Sequence, residues 1–107
     1  MAGMRLFKEV FGEVVREKRL DLNLTLRDVS ERAFVSYSFW SEVERGVKEC
    51  GSTFMNSIAV GLGVGLDELI IETGYRLSEA ADLKIPDTPE ALFVRDTSWA
   101  AQYADLK

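Results

Sequence analysis

The chain has no histidine, one cysteine and two prolines in its 107 residues. Without histidine the commonest general acid/base is missing, and a Ser-His-Asp or Cys-His nucleophile cannot be assembled. A Cys/His zinc site cannot be built within one chain either, and the lone Cys50 excludes an intramolecular disulfide framework. Cys50 reads as a small loop residue. No glycine pattern suited to cradling a phosphate is present. We therefore expect no enzyme, no cofactor and no metal. Long apolar runs are lacking too: nothing approaches the roughly 20 residues needed to span a bilayer. The start, Met1-Ala2-Gly3-Met4-Arg5, lacks the charged-then-apolar pattern of a secretory signal, so a cytoplasmic location without membrane partners is expected.

A basic excess is also absent. Thirteen Lys and Arg face eighteen Asp and Glu, a net charge of −5. Residues 1–74 hold nine basic and twelve acidic residues, and residues 75–107 hold four and six, so neither part is basic overall. That balance weighs against nucleic-acid binding unless a local basic edge forms while acids cover another face.

What is present is helical periodicity. The 47% hydrophobic and 29% charged content is that of an ordinary globular chain. The length suits one domain, 6–74, with an extension, 75–107. Leu6, Phe7, Val10, Phe11, Val14 and Val15 recur at three-and-four spacing and predict an amphipathic helix to Leu20, closed near Asp21-Leu22-Asn23 by a left-handed Asn. Thr25, with Asp28 three residues on, is a capping box with the shorter acid, opening a second helix whose buried stripe is Leu26, Val29 and Ala33. Phe34-Val35-Ser36 makes a turn, and Ser36 caps a third helix from Tyr37 to Arg45 that Gly46 stops. A fourth helix begins at Ser52 with Phe54, Met55, Ile58, Ala59 and Leu62 inward; Gly63-Val64-Gly65 breaks it. A short fifth, Leu66 to Thr73, carries Leu69 and Ile70. No stretch of this region alternates as a half-buried strand would, so the expectation is all-α with five helices.

Beyond Gly74 the pattern weakens, and Ile85-Pro86-Asp87-Thr88-Pro89 reads as an extended linker. Thr88-Pro89-Glu90 is a helix start, followed by apolar clusters at Ala91 to Val94 and at Trp99, Ala100, Tyr103 and Leu106. Such a tail is too small to fold alone. Trp99 and Tyr103 share a helical face, and with Leu92 and Phe93 they are the expected contacts of a dimer.

Two short helices joined by a tight turn, with polar residues along the second, are what a helix-turn-helix needs to place one helix in a major groove. Thr25 to Gly46 meets that description. The residues resemble the Cro/CI-type (Xre) regulators, whose pattern runs Leu-Ser/Thr-x-x-x-Leu/Val-Ala/Ser-x-x-Ala-x-Val-Ser, then a helix ending in Glu-Arg-Gly, then Leu-Gly-Val. The resemblance covers about residues 6–73. Leu-Arg-Asp-Val-Ser at 26–30, Ser-Glu-Val-Glu-Arg-Gly-Val-Lys-Glu at 41–49 and Ser-Ile at 57–58 are most similar to the actinobacterial Clp-gene regulators, the ClgR group. It implies a lambda-repressor-like five-helix domain with a C-terminal helical extension. It also implies that Tyr37, Ser38, Ser41 and Glu42 reach base edges, with Ser36 contacting phosphate or capping. Arg27, the N-terminus of the second helix and Lys48 would then grip the phosphate backbone.

The sequence departs from the pattern at three places. Leu26 stands where many members carry a phosphate-binding Gln, Phe34 where glycine is usual in the turn, and Trp40 where a smaller aliphatic is usual, the last reading as a core anchor. Plainer roles compete elsewhere. Tyr37 is equally suited to packing on a neighbouring helix, and Phe39 is better suited to that than to DNA. Glu44 and Arg45 fit an internal ion pair or cap, and the basic cluster Arg16, Lys18 and Arg19 fits a solvated face as well as it fits DNA. The leading expectation is a homodimeric regulator that binds double-stranded DNA at a palindromic operator on the nucleoid. The ClgR likeness implies activation of protease and chaperone genes, with RNA polymerase or a Clp protease as partners. The alternative is a protein-interaction module on the same fold, of antirepressor or antitoxin type.

Overall fold

The computed structural model describes residues 5–80. Its elements are α1 (Phe7–Asp21), α2 (Leu26–Ala33), α3 (Tyr37–Glu44), α4 (Ser52–Leu62) and α5 (Leu66–Ala80), and the described residues contain no strand. The all-α, five-helix expectation stands.

Local chemistry sets the boundaries. Asn23 closes α1 in the left-handed region at φ 59°, as its side chain tolerates. The Thr25–Asp28 box is formed in both directions: Thr25 N donates to Asp28 Oδ2 at 2.9 Å, and Asp28 N to Thr25 Oγ1 at 3.0 Å. Ser36 Oγ accepts from Phe39 N at 3.0 Å and opens α3. Gly46 and Gly63 adopt φ 76° and 73° and end α3 and α4.

One core unites the five elements, built from Phe11, Val14 and Val15 of α1, Val29 and Ala33 of α2, Trp40 and Val43 of α3, Ile58, Ala59 and Leu62 of α4, and Leu69 of α5. Burial of these side chains is the main favourable contribution to folding. Trp40 is fully buried, as its reading as an anchor requires. Leu26, in the place of the family's Gln, packs half-buried against this core.

Three sequence expectations are corrected. The fifth helix does not end at Thr73; it runs through Gly74 to Ala80. Thr73, fully buried, returns its hydroxyl to Leu69 O at 2.7 Å, and Arg76 bonds Glu72 at 2.9 Å one turn back and Glu17 of α1 at 2.8 and 2.9 Å. The Arg76 bonds to Glu17 tie the turn beyond Gly74 to α1, and the helix carries the single glycine at a cost of about 1 kcal/mol. Phe54 is not inward: it is 46% exposed, with its ring against Phe39. Ile70 likewise lies at the surface while its neighbour Leu69 is buried.

Candidate nucleic-acid interface

The second helix of the motif is presented from behind. Trp40 and Val43 face the core, which turns positions 37, 38, 41, 42 and 45 outward. Tyr37 and Ser38 are exposed, Ser41 and Glu42 half-buried, and Arg45 exposed. Ser36, also exposed, accepts a bond from Phe39 N, which leaves its hydroxyl hydrogen free to donate outward.

The orientation of α3 is fixed by a buried polar lock. Arg19, at the end of α1, meets Glu44 side-on, Nε to Oε2 at 2.6 Å and Nη2 to Oε1 at 3.0 Å, and gives Nη1 to Leu24 O at 3.0 Å. The Trp40 indole N–H donates to Glu44 Oε2 at 2.7 Å. The end of α1, the entry to α2 and the end of α3 are thereby tied together through the Arg19–Glu44 pair. Hydrogen bonding to Glu44 holds the Arg19 guanidinium above its ordinary pKa, against the lowering effect of burial. Glu44 is thus the internal ion-pair residue that the sequence suggested, but its partner is Arg19 rather than a neighbour.

Close approach does the rest. A Cβ on Gly12 would collide with the Val43 and Glu44 carbonyl oxygens, so only glycine lets α1 lie directly on the end of α3.

Charge is divided unevenly. Arg5, Lys8, Lys18, Arg19 and Arg76 are engaged in ion pairs, among them Lys18 to Glu68 at 2.7 Å. The Arg16-Lys18-Arg19 cluster is therefore not a basic face: of its three members only Arg16 remains unpaired with another described residue. Arg27, Arg32, Arg45 and Lys48, on or beside the motif, form no ion pair with any described residue. Four acids of α5, Asp67, Glu68, Glu72 and Glu79, stand against its one Arg76, and that helix packs on α1 and α4 rather than on the motif. A net-acidic chain thus keeps, on and beside the motif, four cations outside any direct ion pair among the described residues.

Arg27 and Tyr37 line one shallow hollow with Asn23, Leu24 and Thr25, which brings two of the expected contacts together. Lys48 lies on the other flank, its Nζ 5.7 Å from the centre of the Phe39 ring. The N-terminus of α2 is less open to an anion than expected, because the Asp28 carboxylate already accepts from Thr25 N there. Phe34 sits in the turn at φ 58°, ψ 39°, with its side chain 94% exposed. Phe39 packs on Phe54, the plainer of its two expected roles. The expected dimer contacts Leu92, Phe93, Trp99 and Tyr103 lie outside the described residues. The ring beneath Lys48, the Arg19–Glu44 pair and the Gly12 contact were not foreseen. Each depends on how separate elements pack and carries no local signal.

No family model matches the chain. It is 40% identical over 73 residues to the transcriptional regulator ClgR of Mycobacterium tuberculosis, a match that covers 68% of this chain and 65% of that protein. The chain thus spans just under two thirds of the length of this relative. Among solved structures, the clp gene regulator ClgR of C. glutamicum superimposes with TM-score 0.63 at 35% identity, over 66% of this chain and 92% of that one. A restriction-modification controller protein shares the fold at TM-score 0.65 and 16% identity, over 70% and 97% of the two chains. Among the described residues no single helix is long and apolar enough to cross a membrane. The five-helix fold, the capped helix-turn-helix and these similarities together show that the chain belongs to the Cro/CI-type (Xre) family of helix-turn-helix transcriptional regulators, among its ClgR-like members.

Proposed function

We propose that this chain is a sequence-specific DNA-binding regulator that inserts α3 into the major groove of a palindromic operator as a homodimer. The observation that carries the reading is the outward face of α3: a row of polar side chains, held from behind by a buried lock and flanked by cations in no direct ion pair with a described acid. Glu42 accepts from the amino group of a cytosine, Tyr37 offers a ring to a thymine methyl and a hydroxyl to an acceptor, and Ser38 and Ser41 complete the base contacts. Ser36, Arg27 and Lys48 contact phosphates and set the register. Binding, not catalysis, is the activity.

Two half-sites about one helical turn apart follow from a two-fold dimer, with Leu92, Phe93, Trp99 and Tyr103 as its contacts. Likeness to a clp gene regulator supports clp-type genes as targets; activation of protease and chaperone genes on the cytoplasmic nucleoid, with RNA polymerase or a Clp protease as partner, extends that reading by family analogy. A genome-wide map of bound DNA tests this reading. It should return one enriched palindrome upstream of such genes.

The exposed Phe34 and Tyr37 favour a second reading, a protein-docking module with little DNA affinity. A map without any enriched sequence, from a chain that still captures a protein partner through this face, would establish that reading instead.

A further inference from the structure

Lys48 stands in the loop between α3 and α4, unpaired with any described acid, yet its ammonium is placed: Nζ lies 5.7 Å from the centre of the Phe39 ring. A cation at that distance over an aromatic face is attracted by the ring quadrupole. Phe39 is itself restrained, packed against the core and paired with the Phe54 ring, whose centre is 4.8 Å away at an interplanar angle of 38°. The neighbouring Glu49 carries the charge that would repel a phosphate at Lys48. It is engaged by Lys8 of α1, Nζ to Oε1 at 3.4 Å, although 84% of the Glu49 side chain is exposed. Tyr37 and Phe39 are two residues apart on α3 and so about 200° apart around it. Arg27, beside Tyr37, and Lys48, over Phe39, consequently hold opposite flanks of the helix.

We infer that Phe39 and Phe54 form a ledge that positions the Lys48 ammonium for a nucleic-acid phosphate, while Lys8 draws Glu49 away from it. The inference rests on the DNA-binding reading above and adds Phe39, Phe54 and Lys8 to it as positioning residues. A free lysine surrenders much rotamer freedom when it grips an anion; a ring that holds it beforehand reduces that loss. The contact carries no sequence information and should strengthen operator and unrelated duplex alike.

The test is a double-mutant cycle on the full chain, read by fluorescence anisotropy on the duplex recovered from the genome-wide map and on an unrelated duplex, across a salt series. Lys48→Met should weaken both about threefold to tenfold and reduce the slope of log affinity against log salt by about 0.9. Phe39→Leu keeps apolar bulk without a π face. It should weaken binding about twofold to threefold when Lys48 is present and not at all in the Lys48→Met background, and Phe39→Tyr should restore the parent affinity. Equal losses in both backgrounds, or an unchanged salt slope in Lys48→Met, would overturn the inference while leaving DNA binding intact. Absence of binding by the parent chain would overturn the functional reading and this one with it. A second measurement does not depend on DNA: ring current should shift the Lys48 side-chain methylene protons upfield in the parent chain, and Phe54→Leu should diminish the shift. Unshifted Lys48 protons in the parent chain would contradict the ledge.

Discussion

Arg19 and Glu44, 25 residues apart, meet in a bidentate ion pair with Nε–Oε2 2.6 Å, and their side chains are only 11% and 6% exposed. Charges so far from water are costly singly and acceptable as a pair. Removing either partner strands the other, which costs about 3–5 kcal/mol. Glu44→Ala and Arg19→Ala should each lower the unfolding free energy by that amount in urea titrations. The double variant Arg19→Met with Glu44→Leu should lose less than the two singles combined. Single losses below about 1 kcal/mol would show the pair to be solvated.

Gly12 gives a second prediction. In an exposed helix Gly→Ala gains about 1 kcal/mol. Here the new methyl would meet the Val43 and Glu44 carbonyl oxygens, and backbone must move to admit it. Gly12→Ala should therefore destabilise by about 1–3 kcal/mol, and the displaced α3 should weaken operator binding beyond the loss of folded protein. Denaturation and anisotropy on one preparation separate the two effects.

Phe34 gives the opposite sign. A bulky residue at φ 58° is strained, and its ring, 94% exposed, contributes little packing in return. Phe34→Gly should stabilise by about 1 kcal/mol, the gain tempered by glycine's greater freedom when unfolded. Unchanged operator affinity in this stabilised variant would place Phe34 away from DNA.

Acid should loosen the domain through two carboxylates. Asp28 is held below the usual range chiefly by the bond from the Thr25 backbone N–H, and Glu17 chiefly by its bond from Arg76. A depressed native pKa gives stability that is present above the unfolded value, about 4, and lost as pH falls through the native value. The urea midpoint should drop on acidification below about pH 5, and drop less steeply in Asp28→Asn with Glu17→Gln.

Much of this domain is legible in the sequence because its boundaries are set by neighbours along the chain. The Thr25–Asp28 box, the Ser36 cap and the Asn23 close each follow from residue type and local spacing, and the core role of Trp40 from its bulk at a position where the family has a smaller aliphatic. What was not legible depends on contacts across the fold. Arg19 looked like part of a basic face and is consumed by Glu44. Gly74 looked like a stop, and α5 continues past it because Arg76 finds Glu17 on α1. Phe54 fell on the apolar period of α4, yet it lies at the rim against Phe39. In the interface, periodicity assigns the outward positions of α3, but it cannot say which cations are already spent.

The central claim is that the α3 face reads DNA sequence, and selection from a random duplex pool tests it most directly. The purified parent chain and its Ser38→Ala, Glu42→Lys variant would be selected side by side. The parent should enrich one two-fold symmetric sequence, and the variant should lose that enrichment while remaining folded. A pool left unenriched by the folded parent, or the same sequence returned by both proteins, would contradict the claim.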